Sequence, residues 1–153
     1  MTEPSIERAT SADAIEVAEL YLASRADALP DLRRVHSDEA VRVWIRTVML
    51  AQGETWIARR DGRILGFVTL DGEELVQLYL RPGEYRRGLG SMLLAKAKDR
   101  SPGRLYLFTF ERNTRARAFY EAHGFRIVDR NDGSRNEEGE PDIRYAWTVV
   151  QPD

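Results

Sequence analysis

With 153 residues, 42% of them hydrophobic and 31% charged, the chain has the make-up of an ordinary soluble globular protein. That length suits a single domain, long enough to bury ~70% of its unfolded surface. A formal net charge of −2 gives no basic field for nucleic acid or a membrane surface, and the lack of cysteine excludes disulfides, thiolate catalysis and cysteine-based metal sites.

The first residues, MTEPSIERAT, hold acids and no apolar run, so they do not read as a signal peptide. No later stretch is apolar for long enough to span a bilayer, and a cytoplasmic location is the default expectation. Ile6–Arg8 reads as a short first strand. Thr10 followed by Asp13 is a helix-capping signal, and Ile15, Ala18 and Leu22 recur at helical spacing after it. A break at Pro30 leads into the polar loop DLRRVHS. Ser37 then caps a second helix with Asp38 and Glu39 in its first turn, where the helix dipole favours acids. Val41, Trp44, Ile45, Val48 and Met49 mark the expected buried face of that helix, and both Trp44 and Trp56 read as packing residues.

Three strands follow. Thr55–Arg60 and Arg63–Leu70 are joined at Asp61-Gly62, and Asp71-Gly72 leads into Glu74–Leu80; Asp-Gly between alternating runs signals an antiparallel meander. The pattern then becomes helix (Gly90–Asp99), strand (Leu105–Phe110) and helix (Thr114–His123), with Gly124 just past the helix end. A strand–helix–strand run implies a right-handed crossover that lays Leu105–Phe110 parallel to Glu74–Leu80. Phe125–Arg130 and Ile143–Val150 complete the sheet around the charged loop NDGSRNEEGEPD. The expected fold class is α/β, a mixed central sheet flanked by about four helices: an antiparallel meander, then a parallel strand pair.

One stretch organises the rest: Leu78–Lys98, LYLRPGEYRRGLGSMLLAKAK. It runs from a strand through a Pro82-Gly83 turn and a glycine loop into the start of a helix. Unpaired N–H groups and the helix dipole make such an end suited to phosphate. Gly88 and Gly90, lacking a Cβ, are expected to let the backbone approach a ligand closely.

This stretch resembles the cofactor motif of the GCN5-related N-acetyltransferase (GNAT) superfamily, a strand ending in Pro, then Gln/Arg-x-x-Gly-x-Gly/Ala, then a helix. A second segment, Asn113-x-x-Ala116-x-x-Phe119-Tyr120-x-x-x-Gly124-Phe125, is similar to that family's other hallmark. The family's Gln/Arg position falls on Tyr85, with Arg86 and Arg87 just after it. The resemblance implies acetyl-CoA as co-substrate, no metal, and transfer to a small-molecule or protein amine by direct attack in a ternary complex. It further implies that Glu74–Leu80 and Leu105–Phe110 splay apart around pantetheine, which pairs with the backbone of Leu78, Tyr79 and Leu80 like an added strand. The loop and helix start, Tyr85, Arg86, Arg87, Gly88, Leu89, Gly90 and Ser91, would hold the pyrophosphate, and Asn113 would reach the pantetheine arm. A homodimer is an expectation from the family alone.

Acyl transfer to an amine needs a neutral amine, a stabilised thioester oxygen and a protonated leaving thiolate. A backbone N–H near Leu80 would serve the oxygen. Tyr120, at the motif position where the family places its acid, would protonate the thiolate, since a phenol (pKa ~10) keeps its proton at neutral pH; packing of the helix on the sheet is the other reading. A lysine-like amine (pKa ~10.4) must lose a proton. Glu74 is the candidate base, where the histone-modifying branch of the family carries its glutamate, and alternation puts it on the face of Val76, Leu78 and Leu80. His36 competes for that role, and relay through water is the remaining option. His36, Glu137 and Glu138 are candidate acceptor contacts, because an acidic loop beside the acceptor mouth attracts a cationic amine. A loop charged for solubility is the alternative.

A Rossmann-type nucleotide binder fails on its third glycine, which is Leu93, and on the meander that precedes the motif. The alternative that survives is a non-catalytic acyl-CoA-binding sensor or scaffold on the same fold.

Overall fold

The computed structural model describes residues 3–85 and 87–149. Its seven-stranded sheet has the order β1-β2-β3-β4-β5-β7-β6. The strands are β1 (Ser5–Arg8), β2 (Glu54–Arg60), β3 (Arg63–Asp71), β4 (Glu74–Leu80), β5 (Arg104–Phe110), β6 (Arg126–Asn131) and β7 (Asp142–Thr148). All neighbours are antiparallel except β4 and β5. Asp61 and Gly62 take φ of 51° and 78°, the left-handed pair that a two-residue hairpin turn needs.

Helices α1 (Ala14–Ala28) and α2, which starts at Asp38–Trp44, cover one face. Helices α3 (Leu89–Arg100) and α4 (Thr114–Ala122) cover the other. Their ends follow the local chemistry. The Thr10 side chain and Asp13 form a capping box ahead of α1, and the Ser37 hydroxyl accepts from the Ala40 amide at 3.1 Å. At the end of α4 the Gly124 amide returns to Glu121 and the Phe125 amide to Tyr120, a Schellman closure with Gly124 at φ 89°.

Two expected burial patterns are corrected. In α1 the buried face is Val17, Ala18, Leu20, Tyr21 and Ser24, while Ile15 is 80% exposed. In α2 the first turns pass into a π-helical stretch, Ile45–Met49, before a last turn, Leu50–Gln52. Ile45 and Met49 are buried there, but Trp44 is 38% exposed. The wider turn alters the angular spacing of the side chains that follow Trp44, whereas Trp44 itself lies in the regular turns before it.

The core lies on both sheet faces. Leu93, Leu94, Leu105, Leu107, Phe125 and Tyr145 pack between the sheet, α3 and α4. Val17, Leu20, Ile45, Ile57 and Phe67 pack under α1 and α2. Each buried Leu, Ile or Phe contributes about 1.5–3 kcal/mol. Two stable faces hold the central strands while β4 and β5 part between them.

Candidate active site

The parallel ladder between β4 and β5 registers a single pair, Glu74 with Tyr106, next to a bond from the Tyr106 amide to the Glu73 carbonyl at 2.9 Å. Beyond that rung the ladder gives Leu78, Tyr79 and Leu80 no β5 partner. Their β5-facing backbone groups are therefore open to an extended ligand, because paired main-chain groups are the rule in a sheet interior.

A bulge shapes the same strand. Leu70 opposes Leu75 and Thr69 opposes Gln77, which leaves Val76 as the extra residue. Leu75 consequently packs on the α3 and α4 side with Leu78 and Leu80, whereas Tyr79 packs toward α1. The simple alternation that put Glu74 on the face of Leu78 and Leu80 is broken. Glu74 instead grips Arg144 through two hydrogen bonds of 2.5 and 2.7 Å, at the closed end of the splay. Arg144 also lies over the rings of Tyr106 and Phe108. The structure thus ties the candidate base into a structural ion pair and away from the lining of the clefts.

At the open end, the chain turns at Arg81–Glu84. The Glu84 amide bonds the Arg81 carbonyl at 3.0 Å, with Pro82 and Gly83 (φ 93°) at the corners, a type II turn. Arg81 anchors it through the Ile64 carbonyl and Glu16, and Glu84 through Arg60. Tyr85 donates to Asp27 at 3.2 Å and lies under the Arg115 guanidinium at 4.4 Å, so it joins α1 to α4 beside the loop. Arg86 lies outside the described residues, and Arg87 is exposed.

Among the described residues no side chain caps the start of α3. The amides of Leu89, Gly90 and Ser91 follow Gly88 at the positive end of the helix dipole, the setting that suits a phosphate. Gly88 has φ 82°, and a Cβ built there meets nothing within 4 Å, so that glycine faces open space. Gly90 differs. A Cβ on it would sit 3.1 Å from Phe119, so its bareness permits the close contact between α3 and α4, and it also lines the cleft described below. Leu89 is buried in the core beneath the helix start. The Ser91 hydroxyl pairs with His123 Nε2 at 2.9 Å. The other nitrogen of that ring donates to the Phe119 carbonyl at 2.8 Å.

These parts enclose a cleft of about 300 Å³ lined by Leu78, Leu80, Gly88, Ser91, Asn113 and Tyr120. A second cleft of about 570 Å³ runs along the splay and shares Leu78, Tyr79, Asn113 and Tyr120 with the first. Asn113 caps α4 by accepting from the Ala116 amide at 3.2 Å, and its amide nitrogen is the group left for a ligand. Tyr120 is 7% exposed among Phe119, Phe125 and Tyr145. Burial alone pushes its phenol above the ordinary value, so it holds its proton.

A third cavity, about 780 Å³, lies on the α1–α2 side and meets the splay at Leu29 and Gln77. It brings together His36, Glu137 and Glu138, the three acceptor candidates, although His36 and Glu137 are 101 residues apart in the chain. His36 Nε2 contacts Glu137 at 2.7 Å, and Glu138 lies 3.6 Å from Arg25. Trp44, expected in the core, lines this cavity. Arg25 and Gln77 had no motif to mark them; only a three-dimensional juxtaposition reveals them.

Set against known proteins, residues 19–125 match the model of the Acetyltransferase (GNAT) family. The chain belongs to the GNAT family. It is 32% identical to the peptidyl-lysine N-acetyltransferase YiaC of Escherichia coli (strain K12) over 136 residues, 88% of this chain and 90% of that protein. The solution structure of apo YjaB from Escherichia coli superposes with a TM-score of 0.79 at 22% identity, over 98% of this chain and 100% of the other. The structure of yncA from Salmonella typhimurium with its cofactor acetyl-CoA gives 0.74 at 14% identity, over 99% of this chain and 97% of the other. The mixed sheet and its helices are the GNAT fold, and membership makes N-acetyl transfer the reaction class of this chain.

Proposed function

We propose that this GNAT protein moves an acetyl group from acetyl-CoA to a primary amine, with a lysine side chain as the first acceptor class to test. The observation that carries this reading is the splay itself. Open strand backbone at Leu78–Leu80, an uncapped helix start after Gly88 and the Tyr120 hydroxyl border one continuous cleft. The yncA complex and the name of YiaC point to the same donor and acceptor.

The residues present fit the donor. Leu78–Leu80 would pair with the pantetheine amides, Asn113 Nδ2 would donate to that arm, and the Leu89–Ser91 amides would hold the pyrophosphate. Bound there, the thioester supplies an activated acyl carbon. Tyr120 would place its proton on the departing sulfur. The chain has no cysteine to carry the acyl group, and the acceptor-side cavity meets the splay at Leu29 and Gln77, so donor and amine would be held together for direct attack.

The test is incubation with acetyl-CoA and N-terminally blocked lysine peptides, reading acetylated peptide by mass spectrometry and thiol release in parallel. Equal amounts of both products are expected. Tight acetyl-CoA binding with neither product, across a broad amine panel, would instead favour the sensor reading.

A further inference from the structure

Resting on that reading, we propose that Glu138 is the carboxylate that receives the acceptor's ammonium group and takes its proton. Glu138 lies in the β6–β7 loop and lines the 780 Å³ cavity with Arg25, Trp44 and Gln77. Its side chain is 15% exposed, and its Oε2 is buried without a partner among the described residues. A carboxylate oxygen withdrawn from water and left unpaired is unfavourable. A primary ammonium, with three N–H donors, satisfies it. The walls offered by Tyr21, Leu32 and Trp44 suit the methylene stem of a lysine.

Arg25 is the positioning residue. Its Nη2 lies 3.6 Å from Glu138, and its Nη1 donates to the Tyr21 hydroxyl at 2.7 Å. This hold engages Oε1 and leaves Oε2 without a partner among the described residues. The charged and titratable groups around Glu138 are Tyr21 and Arg25 from α1, Tyr79 from β4, Arg34 and His36 from the preceding loop, and Glu137 beside it. Tyr79 links the two ends of the site. Burial first of all raises its phenol, Tyr21 adds to that rise and Arg25 opposes it, with smaller rises from Tyr120 and Glu138, so the proposed acid and base both lie near it.

The other acids are engaged differently. Glu74 is bound to Arg144, and Glu137 is a more exposed partner of His36. Asp142 also has one unpartnered oxygen, but Asn136 bonds the other at 3.1 Å within the loop's own fold. In the reaction an N–H proton passes to Glu138 and on to solvent, and the N–C bond forms as the C–S bond breaks. The Tyr120 proton goes to sulfur, and the second proton lost by nitrogen restores the phenol.

The test is the pH dependence of kcat/KM from 6.5 to 9.5 for wild type, Glu138→Gln and Asp142→Asn. Butylamine and a blocked lysine tripeptide serve as acceptors, and the acetyl-CoA-induced Tm shift reports an intact fold and donor cleft. Glu138→Gln should keep that shift. It should lose about 100-fold in rate at pH 7. The deficit should shrink about tenfold per pH unit as the free amine, pKa ~10.4, becomes available without a base. A uniform loss, no loss, or the same signature in Asp142→Asn instead overturns the assignment. So does a wild type that binds acetyl-CoA but accepts neither amine. Failure to bind acetyl-CoA would strike the donor reading itself.

Discussion

Replacing Tyr120 with Phe separates chemistry from packing. The ring is held by Phe119, Phe125 and Tyr145, with centroid distances of 5.3, 5.4 and 6.4 Å, and the substitution keeps it. Burial is the sole cause of the raised phenol, with no hydrogen bond contributing, so removing the hydroxyl should cost the fold under about 1 kcal/mol. For a domain of this size that is a Tm change within about 4 °C. Loss of a positioned proton donor, in contrast, removes about 10²–10⁴-fold in rate, equivalent to about 3–5 kcal/mol of barrier. The assay is initial thiol release at saturating acetyl-CoA, with melts of both proteins in the presence and absence of the donor. A turnover loss of 100-fold or more with an unchanged donor-induced shift is expected. Unchanged turnover would refute the acid assignment and return Tyr120 to packing.

Glu74→Gln should lower stability by about 1 kcal/mol, the discounted value for a pair one-third exposed, and leave turnover within a few-fold; a collapse of turnover at constant Tm would restore Glu74 as the base. Gly88→Val should fold, because its Cβ meets nothing, at a cost of about 1–2 kcal/mol for a left-handed residue, yet lose donor binding. Retained binding would mean that the phosphate lies elsewhere. Stability should fall at both pH extremes. The buried Tyr79 and Tyr120 phenols have raised values, so their contribution is complete below pH ~10 and is lost as pH climbs above it. Glu54 is held down to about 2 by hydrogen bonds from Arg100 and Trp56. Its contribution is present above 4.5 and is lost as pH falls toward 2. Glu54→Gln should flatten the acid limb in melts across pH, and an unaltered limb would exclude that cause.

Where local chemistry decides structure, the sequence was readable. Asp-Gly turns, the Thr10 and Ser37 caps and the Gly124 helix end each act over a few residues, and each sits where its side chain or backbone freedom requires. Paired motifs placed the splay and the uncapped α3 start. One source of failure is a departure from regular periodicity, although Ile15 is exposed within the regular helix α1. The bulge at Val76 shifts the phase of β4, and the π-helical stretch in α2 changes the turn that follows Trp44. Alternation and 3.6-residue rules contain neither. The partners of Glu74 and Glu138 lie 70 and 113 residues away, and β7 inserts between β5 and β6, so no spacing rule reaches them.

The central claim is that the parted strands and the α3 start form an acetyl-CoA site. Thermal unfolding with acetyl-CoA, and with NAD as control, tests it most directly. At a hundred times its Kd the donor should add ~2.7 kcal/mol, a rise of about 5–11 °C for a domain of this size, with no change from NAD. No shift with acetyl-CoA, or an equal shift with NAD, would contradict the account.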